Sequence, residues 1–232
     1  MPDLHIPAAE GSHQEAYLAT PSTPGPWPGV VVLQDAFGVG ENIRAHADRL
    51  AAAGYLAVTP RLYTPRGGGI RCVAAVFRAM GSGQGPVFAD IDAARGWLAG
   101  RDDCTGRIGV IGFCQGGGFA LIAAARYDFA ASAPNYGHVP TDAERELEGI
   151  CPVVASFGAK DTTLKGHPER LEAALTTLGV EKDVKTYEGA GHSFHERFYA
   201  ESLIRPLGMG YDAEASEDSW RRITAFFGEH LS

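Results

Sequence analysis

The sequence predicts an α/β fold in which a mostly parallel β-sheet is covered by helices on both faces. Two features of the 232-residue chain lead to this prediction. Short β-branched runs, typical of strands buried on both faces, alternate along the chain with longer segments that carry an apolar stripe at helical spacing. Such alternation favours parallel strands joined by crossover helices that pack on the two sides of the sheet.

The first part of the chain contains an edge hairpin and one strand–helix–strand unit. Residues 4–6 and 15–19 are expected to form the hairpin. Residues 29–34, GVVVLQ, are a β-branched run that predicts a buried strand. Residues 40–53 carry apolar side chains at i, i+4, i+7 and i+8, which predicts a helix, and the glycine that follows favours its end. Residues 55–59 are predicted as the next strand, which a proline ends.

The middle of the chain continues the alternation. Residues 87–99 carry apolar side chains on one helical face, and residues 107–111 form a short apolar run. Residues 119–125 consist mainly of small apolar residues and are predicted as a helix. A glycine-rich turn joins this strand to this helix.

The last third follows the same order of elements. Residues 152–157 and 183–187 are predicted as strands. Between them a helix is expected to begin at Pro168, because proline is favoured in a first turn, and to end at Gly179. Residues 220–231 carry the apolar stripe of a C-terminal helix.

The length is typical of one domain over residues 1–232. One stretch, residues 65–86, is irregular, because the glycine-rich segments PRGGG and GSGQGP flank a short candidate helix. Glycine-rich flanks can act as hinges. We therefore expect this segment either to cover a site or to be a surface excursion between two sheet units.

Charge and cysteine content exclude several classes of protein. The chain has 28 acidic and 20 basic residues, a net charge of −8, which argues against a nucleic-acid or anionic-membrane surface. Neither a secretory signal nor an apolar run of membrane-spanning length is visible. The four cysteines form no CxxC pair, so a disulfide scaffold or a zinc site is not expected. We expect a soluble cytoplasmic protein with reduced thiols.

The most specific local pattern is RIGVIGFCQGGG, residues 107–118. A predicted strand enters a G-x-C-x-G turn and continues directly into a helix, the nucleophile-elbow pattern of the α/β-hydrolase fold with cysteine in the place of serine. Cys114 would stand above the sheet at a helix N-terminus, which favours the thiolate. The N–H of Gln115 would face an oxyanion. The alternative is an ordinary buried thiol in a glycine-rich turn.

A thiol nucleophile needs a base, and the base needs an orienting carboxylate. In this fold they follow the nucleophile in the order acid, histidine, each after a strand. Asp161 and His192 meet that requirement, and we predict the triad Cys114–Asp161–His192. Asp183 is a poorer candidate because it begins a strand. His138, after a strand-like stretch, is an open rival to His192.

Two other kinds of site receive less support. His192, His195 and Glu196 resemble a metal cluster only superficially, because no third ligand of suitable spacing is evident. The glycines after residue 35 resemble a dinucleotide loop whose third glycine is missing. The same loop follows the strand at residues 29–34, and we predict that the Ala36 N–H is the second oxyanion donor.

Five motifs in order resemble the dienelactone hydrolase family of α/β-hydrolases over about residues 14–230: QDAFGV (34–39), PRLYTP (60–65), GFCQGG (112–117), GAKD (158–161) and GAGHSF (189–194). The resemblance implies a cofactor-free hydrolase with a Cys-His-Asp triad that acts on enol-lactones or related esters. It also implies a thiol-activating carboxylate at Asp35, which is one methylene shorter than the family's usual Glu.

The resemblance is weaker at the residues that would bind substrate. Where the best-known members have an arginine four residues after the histidine, this chain has Glu196, with Arg197 next to it. Arg71 or Arg78 could supply a second substrate-binding arginine. Tyr136 is a further substrate-binding candidate.

The predicted function is hydrolysis of a small ester or lactone by a monomer or homodimer. Three alternatives stay open. An acyl transferase or thioesterase would use the same triad. A glutaminase would carry a carboxylate two residues after the histidine, where this chain has Phe194. A non-catalytic binding protein would retain only the fold.

Overall fold

The computed structural model describes residues 4–64, 74–76, 78–79, 82–198 and 208–232. Within these residues the strands form one eight-stranded sheet in the order β1-β2-β4-β3-β5-β6-β7-β8. The strands are β1 (Leu4–Pro7), β2 (His13–Ala19), β3 (Trp27–Leu33), β4 (Leu56–Pro60), β5 (Cys104–Phe113), β6 (Ala131–Asn135), β7 (Val153–Gly158) and β8 (Lys182–Tyr187).

Strands β3 to β8 are parallel, whereas β1 and β2 extend the sheet antiparallel beyond β4. The predicted mostly parallel sheet and its edge hairpin are therefore confirmed. Strand β6, which the sequence indicated only as a strand-like stretch, lies between β5 and β7 and is wholly buried. The carboxyl ends of β3, β5, β7 and β8 consequently meet at one edge of the sheet, where ligands bind in open α/β sheets.

The α-helices whose bounds lie wholly within the described residues are α1 (Glu41–Ala52), α2 (Pro86–Ala99), α3 (Gln115–Arg126), α4 (Ala143–Glu146), α5 (His167–Thr177) and α6 (Ala213–His230). They cover both faces of the sheet. A Cβ on Gly109 of β5 would meet Phe227 of α6. Gly29 of β3 pairs with Ile108, the residue before Gly109, and a Cβ on Gly29 would meet Leu98 of α2. Successive residues of a strand point to opposite faces, so α6 and α2 lie on opposite sides.

Two helices begin earlier than the apolar pattern predicts. Helix α3 starts at Gln115, directly after Cys114, and includes the three glycines that we read as a turn. These glycines are buried, so tertiary packing outweighs their low helix propensity. Helix α6 starts at Ala213, where Asp212 Oδ1 accepts a hydrogen bond from Ala215 N at 3.0 Å, a cap that stabilises the first turn.

Much of the irregular stretch at 65–86 lies outside the described residues, and so does Arg71. Residues 74–76 and 78–79 are helical. The interpretation of this stretch as a cover and the assignment of residues 1–232 to one domain stay predictions. No helix within the described ranges is long and apolar enough to cross a membrane.

Candidate active site

Cys114 lies in a strained turn between the end of β5 and the start of α3. Its φ is 53° and its ψ −115°, a conformation that non-glycine residues rarely adopt and that persists only where surrounding structure enforces it. A Cβ on Gly112 would overlap the carbonyl of Gly116, and a Cβ on Gly116 would overlap the carbonyl of Leu33. The glycines two before and two after the cysteine are therefore required by close backbone contacts, as the motif predicts.

Backbone hydrogen bonds hold this turn on both sides. Cys114 N donates to Asn135 O of β6 at 3.1 Å, and Gly117 N donates to Cys114 O at 3.0 Å. The Cys114 side chain is half-buried. Gln115 is the first residue of α3, where backbone N–H groups have no acceptor within the helix.

Asp161 follows β7 and is fixed by a second turn. Its Oδ1 accepts hydrogen bonds from Thr163 N at 2.9 Å and from the Thr163 hydroxyl at 2.6 Å. Its Oδ2 lies 2.6 Å from His192 Nδ1. Burial of Asp161 opposes its ionisation, but the hydrogen bonds from His192 and Thr163 outweigh burial and lower the pKa of the carboxyl.

His192 follows β8 and is held by its own backbone, because His192 N donates to Gly208 O at 2.7 Å and Gly210 N donates to His192 O at 3.1 Å. With Nδ1 on Asp161, its other ring nitrogen remains for a further partner, and the Cys114 thiol is near enough to raise the pKa of the ring. Burial disfavours the imidazolium. Hydrogen bonds with Asp161 and Cys114 outweigh burial, and the pKa of His192 rises to about 10.

Asp35, after β3, is 7% exposed and caps its own turn. Its Oδ1 accepts from Phe37 N at 2.7 Å, and its backbone carbonyl accepts from Gly38 N at 3.2 Å. Burial, followed by the negative charge of Glu196, raises the pKa of Asp35 to about 6, although the two backbone N–H groups partly offset this rise. Asp35 thus caps its own turn, and its raised pKa also makes it an easily protonated carboxyl.

A buried polar cluster of Glu196, His46 and Tyr136 lies behind His192, and the sequence did not indicate it. Glu196 is 1% exposed, and its Oε1 lies 3.4 Å from His46 Nε2 and 3.3 Å from the Tyr136 hydroxyl oxygen. Its Oε2 has no hydrogen-bond partner among the described residues. His46 comes from α1 and stacks on Phe113 with ring centroids 4.1 Å apart. No local sequence pattern indicates that His46 and Glu196 are partners.

Tyr136 is enclosed by other side chains. It is 1% exposed, its hydroxyl donates to Glu196, and its ring packs against His192 with centroids 5.2 Å apart. Direct contact between Tyr136 and a substrate stays a prediction from the sequence. Because the side chain is enclosed behind His192, Tyr136 supports the imidazole and Glu196.

The two arginine candidates within the described residues have different surroundings. Arg197 is exposed, its guanidinium lies 3.8 Å from the Tyr211 ring centroid, and it lines a cleft of about 260 Å³ together with Asp35, Phe37 and Phe198. Phe37, 79% exposed, projects at the same cleft. Arg78 is helical and exposed, and among the described residues no contact joins it to Cys114.

The rival histidines have other partners. His138 packs against His167 with ring centroids 4.9 Å apart, and His167 Nδ1 accepts from Val139 N at 2.9 Å. His195 is buried between Ser216 and Ser219, whose hydroxyl oxygens lie 3.0 Å and 3.2 Å from its two ring nitrogens. Burial holds the pKa of His195 well below its usual range. Neither ring joins Cys114 and Asp161.

The two predicted oxyanion donors lie on adjoining segments. The start of α3 packs so tightly on the end of β3 that a Cβ on Gly116 would lie 2.6 Å from Gln34 O. Ala36 stands in the turn directly beyond, and Tyr63, from the loop after β4, touches both segments: its hydroxyl lies 3.0 Å from Ala36 O and 2.8 Å from Gln115 Oε1. Tyr63 falls within the PRLYTP motif, but the motif alone assigned it no role.

A mostly parallel sheet with a sharp strand-to-helix turn at the end of its central strand, and a histidine and a carboxylate after later strands, defines an α/β-hydrolase. Among these enzymes the chain belongs to the dienelactone hydrolase family, whose model matches residues 14–231. It is accordingly a hydrolase, and the resemblance drawn from the five motifs is confirmed.

Known proteins agree with this assignment. The chain is 31% identical to a protein of Yersinia pestis named "Putative carboxymethylenebutenolidase", over 96% of this chain and 86% of that protein. It is also 31% identical to a protein of the same name from Methylorubrum extorquens, over 98% of this chain and 80% of the relative. A solved structure, a dienelactone hydrolase-like promiscuous phosphotriesterase from metagenomic libraries, superposes with a TM-score of 0.84 at 22% identity, over 100% of this chain and 98% of that one.

Proposed function

We propose that this hydrolase cleaves carboxylic esters or lactones through a thioester on Cys114, with His192 as the proton carrier and Asp161 as its orienting carboxylate. The observation that carries the proposal is the position of His192, whose Nδ1 lies 2.6 Å from Asp161 Oδ2 and whose pKa is raised by Asp161 and by the Cys114 thiol. Such a nucleophile–base–carboxylate chain is the arrangement that activates a weak nucleophile.

The acylation step follows from the charges around the thiol. In this proposal the proton of Cys114 passes to His192, whose raised pKa of about 10 favours the imidazolium, as the thiol becomes the nucleophile. The thiolate attacks the substrate carbonyl carbon, and the carbonyl oxygen becomes an oxyanion. In this proposal the N–H groups of Gln115 and Ala36 stabilise that oxyanion.

Collapse of the tetrahedral intermediate breaks the carbon–oxygen bond and leaves a thioester on Cys114. His192 gives its proton to the departing alkoxide, which in a lactone stays tethered to the acyl group. A water molecule then loses a proton to His192 and attacks the thioester. The second collapse releases the acid and restores the thiol–imidazole pair, so no metal or cofactor is needed to balance the reaction.

We further propose that Asp35 assists the thiol as substrate arrives. Support comes from its burial beside the turn that carries Ala36, and from the charges of Asp35 and Cys114, which both raise the pKa of the neighbouring Tyr63. The carboxyl of Asp35 loses its proton at about pH 6. In this proposal the carboxylate above this pH accepts a hydrogen bond from the Cys114 thiol before the proton passes to His192, whereas below this pH the carboxyl is neutral.

The name of the relatives supports a lactone among the substrates. Their high coverage, 96% of this chain for the Yersinia pestis protein, extends over every residue of the proposed triad. The cytoplasmic location and the monomeric or dimeric state stay predictions from the sequence.

The test uses a panel of an aryl acetate, an unsaturated five-membered lactone and an aryl thioester. We expect wild type to turn over the ester and the lactone, and Cys114→Ala to lose turnover by at least about 10³-fold. Cys104→Ala is the matched control, because Cys104 begins the strand that Cys114 follows. Equal loss in both variants, or persistence of turnover in Cys114→Ala, would contradict the proposal. Turnover of the thioester alone would assign the site to thioester chemistry instead.

A further inference from the structure

We propose that Tyr63 is a positioning residue that locks the two oxyanion donors, Ala36 and Gln115, into one fixed geometry. This inference rests on the proposed function, because it concerns the oxyanion of that reaction. The observation behind it is that one hydroxyl touches both segments, Ala36 O at 3.0 Å and Gln115 Oε1 at 2.8 Å.

The Ala36–Phe37 peptide is held at both ends. Its carbonyl oxygen accepts from the Tyr63 hydroxyl, and its N–H donates to Asp35 Oδ1 at 2.7 Å. The preceding peptide, which carries the Ala36 N–H, is held in turn, because Asp35 O accepts from Gly38 N at 3.2 Å. Each peptide unit is planar, so these contacts on the two successive units together fix the direction of the Ala36 N–H. Oxyanion stabilisation depends on such preorganisation, since a donor that must first reorient contributes less to the transition state.

The Gln115 side chain completes the link. It is 2% exposed, and its Nε2 has no hydrogen-bond partner among the described residues. A hydroxyl has one proton and two acceptor positions. A half-turn of the Gln115 amide lets Nε2 donate to the Tyr63 oxygen while the Tyr63 proton goes to Ala36 O. Each of the two contacts of the Tyr63 hydroxyl then has one donor and one acceptor, and a chain of hydrogen bonds runs from one oxyanion segment to the other.

Tyr63 is itself anchored to the sheet, so the link has a rigid base. Gln34, at the end of β3, accepts from Leu62 N through its Oε1 at 3.1 Å, and Arg61 N donates to Glu15 O of β2 at 2.8 Å. Burial raises the pKa of Tyr63 to about 12, so its hydroxyl keeps its proton over the range in which the enzyme would work. A phenol that remains neutral remains a donor.

The first experiment compares Tyr63→Phe with Tyr55→Phe for two reactions of the same thiol. The control hydroxyl lies 3.5 Å from Thr224 O, far from the elbow. Ester hydrolysis passes through an oxyanion. Alkylation by iodoacetamide does not, because the thiolate displaces iodide directly and the proton stays on His192. We expect Tyr63→Phe to lower kcat for an aryl ester by about 10- to 100-fold with KM within about twofold, and to leave the alkylation rate of Cys114 within about twofold. Tyr55→Phe should change neither rate.

An unchanged kcat in Tyr63→Phe would overturn the inference. So would a fall in alkylation that matches the fall in hydrolysis, because the hydroxyl would then act on the thiol or on folding.

Gln115→Leu tests the same link from its other side while Tyr63 is kept. If the two residues act as one unit, the double variant is no slower than the slower single variant, whereas additive losses would contradict the link. Turnover in Cys114→Ala would defeat the proposed function itself and is measured separately.

Discussion

His192 Nδ1 lies 2.6 Å from Asp161 Oδ2, although the two residues reach the site from loops after different strands, β8 and β7. Asp161 is fixed from its other oxygen by Thr163, so the carboxylate is oriented before the histidine meets it. The pair sets both the direction of the imidazole and its affinity for a proton.

Asp161→Asn should therefore disable turnover without preventing substrate binding. The amide keeps the volume of the carboxylate but removes its charge and replaces one of the two oxygens by an NH2 group. If that group faces Nδ1 of His192, it can only donate, so the ring no longer keeps its proton on Nδ1. We expect kcat to fall by about 10³-fold or more, with KM within a few-fold, in steady-state assays of an aryl ester. Asp102→Asn, at an exposed aspartate, is the control. A loss below tenfold would mean that Asp161 does not orient His192 during the reaction.

The raised pKa of Asp35 predicts a pH-dependent cost in stability. Between pH 3.8, the ordinary pKa of an aspartate, and about pH 6, the folded protein holds the proton of Asp35 while the unfolded chain has released it. Stability attributable to Asp35 therefore falls as pH rises through that range. Asp35→Asn stays neutral and can still accept from Phe37 N. We expect this variant to be more stable than wild type by about 1–3 kcal/mol at pH 8 and equal to it near pH 4, in urea titrations.

The same variant separates stability from activity. If Asp35 assists the thiol, the more stable Asp35→Asn enzyme is slower, and the rise in wild-type activity near pH 6 is lost from its pH profile. Equal stability of the two proteins at pH 8 would contradict the assigned pKa. Unchanged activity would reduce Asp35 to the cap of its turn.

Alkylation should distinguish Cys114 from the other described cysteines. Burial raises the pKa of Cys151 to about 12 and also raises that of Cys104, so both are mostly thiols near neutral pH. Cys114 instead interacts with the imidazole of His192, whose pKa is raised to about 10. At about pH 7 we expect iodoacetamide to label Cys114 at least about tenfold faster than Cys104 or Cys151, by peptide mass mapping. His192→Ala should remove this preference, and comparable labelling of all three in wild type would refute it.

The elbow glycines predict a large effect from one added methyl group. In Gly116→Ala the new Cβ would lie 2.6 Å from Gln34 O and would also overlap Leu33 O, both backbone atoms that move only with the sheet. We expect a loss of at least about 2–3 kcal/mol in thermal or urea unfolding. Gly96→Ala in α2 is the matched control, because nothing lies within 4 Å of its Cβ, and it should stabilise by about 0.5–1 kcal/mol. Similar stability of both variants would contradict the packing described for the elbow.

The sheet and the three central residues could be predicted because each depends on a local pattern. Cys114 stands in a glycine pattern that only a strand-to-helix turn requires, and Asp161 and His192 each follow a short apolar strand. The contact between His46 and Glu196 could not be predicted, since it joins residues 150 positions apart and neither has a distinctive neighbour. The role of Tyr63 likewise depends on the meeting of three separate loops. The start of α3 was missed for another reason: packing overrides the low helix propensity of its glycines.

The inward orientation of the Glu196 side chain also came from no local pattern. In the resemblance, an arginine is expected where this chain has Glu196. The structure explains how a carboxylate is accommodated, because the side chain is turned inward to His46 and Tyr136. Glu196 raises the pKa of Asp35 through its charge, so the two carboxyls act as neighbours in one buried site.

The most direct test of the account is a rapid-mixing experiment with an aryl ester, followed by mass analysis of the quenched enzyme. We expect a burst of about one equivalent of phenol per enzyme and an acyl group on the peptide that contains Cys114. Two results would contradict the proposal that this thiol is the nucleophile. One is a burst in which the acyl group lies on another residue. The other is turnover without an acylated peptide in wild type, together with undiminished turnover in Cys114→Ala.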